Sequence, residues 1–193
     1  MKKVTSRQIQ AQKTKLRIYN ASIDLFDKQG FENTTIEDIS KKAGVSVGAF
    51  YHYFPSKSDI YYEMFERIDE YYRSTVEKLL CKEDFYENII LFFQYYARYN
   101  AGRGIDSIKQ LYATQTSLFL DKDRHLYMLL ARILKQGEEK DQITKEMEIS
   151  EIDDLLCVTS RGLIYDWVLH GGTYDLEEKF LKYMMILRPV IVK

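Results

Sequence analysis

Residues 34–57 read TTIEDISKKAGVSVGAFYHYFPSK, and this stretch decides the fold. Thr34-Thr35-Ile36-Glu37 has the form of a capping box, with Thr34 and Glu37 satisfying free amides at a helix start. Ile36, Ile39 and Ala43 then form the inner face of that helix. Ala43-Gly44-Val45 makes a short turn, and Ser46 caps a second short helix carrying Val47, Gly48, Ala49, Phe50, Tyr51 and His52. Pro55 stops it, because proline excludes the preceding residue from helix. Two short helices joined by a glycine-containing turn are the geometry of a helix-turn-helix.

In that geometry Gly44 permits the turn, while Ile39, Ala43, Val45 and Phe50 hold the two helices together. The second helix presents Val47, Gly48, Ala49, Tyr51 and His52 outward. Placed in a major groove, its N-terminal residues meet base edges, and the Tyr51 hydroxyl and His52 imidazole reach phosphates. Thr35 and Lys57 stand at helix N-termini, where free amides and the helix dipole attract an anion. Taken singly, Thr35 and Ser46 read as caps and Lys57 as a surface charge. Their joint spacing points to DNA.

Outward from this stretch, Leu16, Ile18, Ala21, Ile23, Leu25 and Phe26 form one buried stripe on a helix that begins near Gln10 and ends at Gly30. Ser56 and Asp59 cap a long helix over residues 57 to about 80. Longer helices follow: an aromatic one over 84–99, broken by Gly102 and Gly104, then 105–112, 124–136, 150–170 and 175–187. A polar stretch near 114–117 and a charged loop over 138–148 separate them. With two prolines, nine glycines and no alternating apolar pattern, the chain reads as all-α, with about nine helices. The division expected is a head over 1–56 and a body over 57–193.

The net charge of −1 argues against a nucleic-acid binder, but its distribution does not. Through Asn20 there are six basic residues and no acidic one, and residues 1–60 hold 10 basic against 6 acidic, compared with 18 against 23 thereafter. A basic head on an acidic body suits a protein one end of which meets phosphates, although a basic tail would read the same way. Cys81 and Cys157 match no metal or redox spacing, and His125 and His170 lie far from any ligand partner, so neither a metal site nor a cofactor is expected. No apolar run reaches the length of a membrane span and no signal-peptide core precedes Asn20. The expected place is the cytoplasm, with reduced thiols.

Residues 14–60, TKLRIYNASIDLFDKQGFENTTIEDISKKAGVSVGAFYHYFPSKSDI, resemble the TetR family of bacterial regulators. The likeness rests on Ala-x-x-Leu-Phe, Gly-Phe, Thr-Thr-Ile-x-x-Ile, Ala-Gly-Val-Ser, Tyr-x-x-Phe and Ser-Lys, and covers about a quarter of the chain. It implies three N-terminal DNA-binding helices and a remainder that binds ligand and dimerises. It also implies phosphate contacts at Thr35, Tyr51, His52 and Lys57, and base-facing positions at Ser46, Val47, Gly48 and Ala49. Two departures bear on the contacts. Ala49 stands where threonine is frequent, and Tyr53 precedes Phe54 where many members have histidine, with His52 one position earlier. Tyr53 therefore joins the candidate DNA-facing set.

For the body, the resemblance puts a homodimer interface on the last two helices. Ile152, Leu155, Leu156, Thr159, Leu163 and Trp167 make one apolar stripe there, and Phe180, Met184 and Leu187 another. The same stripes would serve as intramolecular core. The resemblance also puts a small-molecule pocket among the central helices, with Phe65, Phe92, Tyr96, Tyr99, Tyr112, Thr116, Tyr127 and Trp167 as candidate lining and packed core as the other reading. Aromatic walls suit an apolar, aromatic or cationic effector, with Asp166 as a counter-ion. The expected function is an effector-released repressor that binds a palindromic operator as a homodimer. An effector-independent architectural or nucleoid protein of the same fold is the alternative, favoured by a fully packed body. An enzyme is not expected, since no phosphate loop, His-Glu-x-x-His or nucleophile elbow occurs.

Overall fold

The computed structural model describes residues 5–113 and 117–193, and nine α-helices are found among them. These are α1 (Ser6–Gln29), α2 (Ile36–Ala43), α3 (Val47–Tyr53), α4 (Asp59–Tyr71), α5 (Phe85–Ala101), α6 (Ile105–Ala113), α7 (His125–Glu139), α8 (Ile149–Leu169) and α9 (Leu176–Ile191). No strand occurs among the described residues, where an isolated bridge pairs Ile143 with Val192. The chain divides into two compact units, Met1–Glu66 and Arg67–Lys193, and the division falls inside α4.

The first unit is built on Ile18, Phe26, Ile39, Phe50 and Ile60, none of which is exposed at all. Phe26 stacks on Tyr61 and meets Phe31 edge-on, so the turn after α1 is fixed by rings rather than by chain stiffness. Leu16, expected in the buried stripe, is exposed, and Tyr19 and Ser22 are buried instead. The helix starts at Ser6, with Thr5 and Gln8 as its capping box, and its first buried residue is Ile18.

In the second unit α5 packs on α9, α7 and α8. Its tyrosines are held by their hydroxyls as well as their rings. Tyr72 donates to the Phe92 carbonyl at 2.6 Å and Tyr86 to the Met184 carbonyl at 2.6 Å, so neither buried hydroxyl goes unsatisfied. The long helix expected over 57–80 is interrupted: a π-turn over Tyr72–Val76 and a 3-10 turn over Glu77–Leu79 follow α4. The wide turn lets Tyr72 and Val76 both enter the core. A buried ion pair joins Asp69 to Arg124 at 3.0 and 3.2 Å, and Asp69 also accepts the Leu126 amide. No helix of the described residues is long and apolar enough to cross a membrane.

Candidate functional site

The turn between α2 and α3 is closed by Gly44 in the left-handed region, φ +65° and ψ +43°, its amide donating to the Ser40 and Lys41 carbonyls. A side chain at this position costs roughly 1–2 kcal/mol. Ser46 then caps α3, its hydroxyl accepting from the Ala49 amide at 3.1 Å. Phe50 is wholly buried and fixes the roll of α3. As a consequence Ser46, Gly48, Tyr51 and His52 face solvent, while Val47, Ala49 and Tyr53 are half-buried beside them. Tyr51 is 52% exposed, so its ring reaches well beyond the helix.

The cap of α2 lies one residue later than expected. Thr35 and Asp38, rather than Thr34 and Glu37, form the capping box. Thr34 is buried and donates instead to the Gly30 carbonyl at 2.8 Å, which removes it from competition for the cap. Thr35 donates to Asp38 through its hydroxyl at 2.6 Å and through its amide at 3.2 Å, and these bonds hold the Asp38 carboxyl below its ordinary pKa. Any anion approaching α2 here meets that carboxylate, and of the first amides only those of Ile36 and Glu37 are left open.

Lys57 occupies a position that sequence alone does not predict. Its ammonium donates to the Phe31 carbonyl at 2.6 Å and the Thr34 carbonyl at 2.8 Å, and lies 4.1 Å from the centre of the Phe31 ring. Lys57 thereby ties the approach to α4 to the turn from which Thr35 emerges, with one of three donors left for an outside acceptor. The N-terminal half of α1 adds Arg7, Lys13 and Arg17, all exposed. Lys15 is engaged with Glu63, and Lys42 with Asp24.

In the second unit a cavity of about 10 Å³ lies among α5, α7 and α8. Phe92, Phe93 and Tyr96 line it from α5, Leu126, Tyr127 and Leu130 from α7, and Cys157 and Ser160 from α8. Three of the expected lining residues, Phe92, Tyr96 and Tyr127, come together there. Phe65 is buried in the first unit. Tyr99 packs on Tyr71 and under Arg103, and Tyr112 on Phe119 and Tyr165. Trp167 donates to the Tyr174 carbonyl at the far end of α8. Thr116 lies outside the described residues. Asp166, expected to meet a cationic effector, accepts the Tyr174 hydroxyl at 2.8 Å and lies beside His170, so it does not face this cavity.

The stripe read as a dimer face turns inward. Ile152, Leu156, Phe180 and Met184 are fully buried and Leu163 nearly so, all within the chain's own core, while Leu155, Thr159 and Leu187 are half-buried. The apolar residues left in solvent are others: Val158, Tyr165 and Leu169 on α8, and Leu181, Met185, Ile186 and Val190 on α9. Both helices are apolar on more than one side, and periodicity cannot tell which side meets the core.

Residues 18–64 match the family model described as bacterial regulatory proteins, tetR family. The chain is 23% identical over 168 residues to the fatty acid metabolism regulator protein of Bacillus subtilis, covering 83% of this chain and 87% of that one. It is 35% identical over 83 residues to the nucleoid occlusion factor SlmA of Haemophilus ducreyi, a match to 43% of this chain and 38% of the other. Among solved structures, FadR of Thermus thermophilus, described as a TetR-family transcriptional repressor in complex with lauroyl-CoA, superposes with a TM-score of 0.66 at 24% identity, over 90% of this chain and 92% of its own.

Proposed function

The chain belongs to the TetR family of bacterial regulatory proteins, and from that premise we propose that it is a cytoplasmic repressor that grips a palindromic operator as a homodimer and leaves it when a small molecule binds the body. One observation carries the DNA-binding reading: Phe50 anchors α3 so that Ser46, Gly48, Tyr51 and His52 form an open face beside a basic α1. The face is small and poor in hydrogen-bonding side chains. Specificity then rests on contacts with thymine methyl groups, on backbone groups and on DNA shape as much as on polar readout. Tyr51, His52, Tyr53 and the third donor of Lys57 supply phosphate contacts, and Thr35 sets the start of α2.

For the dimer, the exposed apolar residues of α8 and α9 support an interface with a second copy, in place of the buried stripe expected from periodicity. A twofold dimer reads two half-sites one helical turn or a multiple apart. The effector reading draws on the likeness to an acyl-CoA-binding repressor. The alternative, an effector-independent DNA organiser, draws on the tightness of the body, whose cavity is near the volume of a single water, and on the partial likeness to SlmA.

Selection of bound duplexes from a random pool tests the proposal. The expected product is an inverted repeat bound by two chains. Recovery of duplexes with no shared sequence would support the organiser instead.

A further inference from the structure

The cavity of the second unit combines aromatic walls with two polar groups that its own chain leaves unsettled. Tyr96 is 8% exposed and lines the cavity, yet its hydroxyl makes no hydrogen bond among the described residues. An unpaired buried hydroxyl costs roughly 1–3 kcal/mol, so a partner that supplied an acceptor would recover that cost on binding. The second group is Arg161, half-buried one residue beyond Ser160 on α8. Its charge acts on the Tyr96 and Tyr127 hydroxyls and on the Cys157 thiol, all three of which line the cavity.

Arg161 is also the cation left over at this end of the unit. Arg124 is neutralised by Asp69, and Lys122 by Asp153 and Asp154. Arg161 has no carboxylate partner among the described residues, and residues 114–116, which are Thr-Gln-Thr, contain none. Its guanidinium reaches only the Phe119 carbonyl at 3.5 Å and the phenol of Tyr127. A half-buried guanidinium ringed by phenols is a site for an anion and repels a cation.

Resting on the effector reading above, we propose that the cavity receives the anionic group of a small amphiphile, a carboxylate or phosphate on an apolar body, with Arg161 as its counter-ion and the Tyr96 hydroxyl as a donor. This replaces the cationic effector suggested by Asp166. The apolar body follows among Phe92, Phe93 and Leu130. At about 10 Å³ the cavity holds no more than a water, whereas a ligand site takes roughly 300 Å³ or more. Binding therefore requires α5, α7 and α8 to move apart, and a ligand that needs the open form shifts the population away from the closed one.

The test is calorimetric titration of the full chain with four probes that share a tail: dodecanoate, dodecyl phosphate, dodecanol and dodecyltrimethylammonium, all below their micellar concentrations. The two anions are expected to bind at least tenfold more tightly than the alcohol or the cation, and their ratio tells carboxylate from phosphate. Arg161→Gln is expected to weaken anion binding tenfold or more while leaving the alcohol unchanged, and Tyr96→Phe to weaken it severalfold. Equal binding of alcohol or cation and anions, no binding of any probe, or an Arg161→Gln chain that still prefers the anions overturns the proposal. Release of bound operator DNA, followed in parallel, separates the two readings. A cation or alcohol that releases DNA sinks the anion site and spares the effector, whereas an anion that binds without releasing DNA does the reverse.

Discussion

Replacing Lys57 by methionine separates two physical roles that one residue could play in DNA binding. Methionine keeps most of the stem's packing and removes only the ammonium. Lost with it are hydrogen bonds to the Phe31 and Thr34 carbonyls, at 2.6 and 2.8 Å, and the contact with the Phe31 ring. Hydrogen bonds from a charged donor contribute roughly 1.5–3 kcal/mol each where water is excluded. Lys57 is half-buried and both carbonyls can recover a water, so the net loss is placed at about 2 kcal/mol. That is a large share of a typical stability of roughly 5–15 kcal/mol. Trp167 lies in the second unit and serves as the control, so the head is better followed by urea titration of helical circular dichroism and by amide exchange in α2. A clamp predicts faster exchange over Ile36–Ala43 and a loss near 2 kcal/mol in free protein. A plain phosphate contact predicts unchanged stability, and a salt slope of operator binding reduced by about 0.9. The second outcome, with stability within about 0.5 kcal/mol of the parent, would refute the clamp.

Three further substitutions or reactions probe the body. In α7, Gly137→Ala would gain roughly 0.5–1 kcal/mol from helix propensity, but its Cβ would stand 2.5, 2.7 and 2.9 Å from ring atoms of the buried Phe85. Overpacking of roughly 1–3 kcal/mol wins, so a net loss that Phe85→Leu partly restores is expected, and a net gain in thermal stability would contradict the packing. Ile186→Glu, at a residue 56% exposed, is expected to yield folded monomers by light scattering, whereas Leu156→Glu, fully buried, unfolds the protomer. An Ile186→Glu chain that stays dimeric moves the interface elsewhere. Burial, with the Asp153 charge behind it, pushes the Cys157 thiol up to about 11, so about one thiol in a thousand is ionised at pH 8. Iodoacetamide at pH 8 should modify exposed Cys81 and spare Cys157 until the chain unfolds, with Cys157 alkylation speeding about tenfold per pH unit below 11.

The head was legible because local chemistry decides it. Gly44 at a left-handed position, Ser46 as a cap, Phe50 as an anchor and Pro55 as a stop all act within a few residues of one another. The one misplaced cap arose from a tie: Thr34 and Thr35 both precede an acid by three residues, and the tie is broken by the Gly30 carbonyl that Thr34 reaches. The body depends on contacts distant in sequence, and there the reading thinned. Phe180 and Ile186 both look like interface on a helical wheel, yet one is fully buried and the other 56% exposed. The π-turn after Tyr71 follows from Tyr72 reaching the Phe92 carbonyl twenty residues away. Arg161 carries no motif, and its meaning emerges only once Arg124 and Lys122 are seen to be paired.

The central claim is that the open face of α3 meets DNA, and Gly48→Glu tests it most directly. A Cβ at Gly48 finds only the Ser46 hydroxyl, at 3.9 Å, so the helix accepts a side chain there. The added carboxylate would stand on the proposed base-facing surface, against phosphates. Fluorescence anisotropy with the selected operator at fixed salt is expected to show binding weakened at least a hundredfold, with unfolding and dimerisation unchanged. Operator affinity equal to that of the parent would contradict the account, because no docking through this face leaves room for a new negative charge.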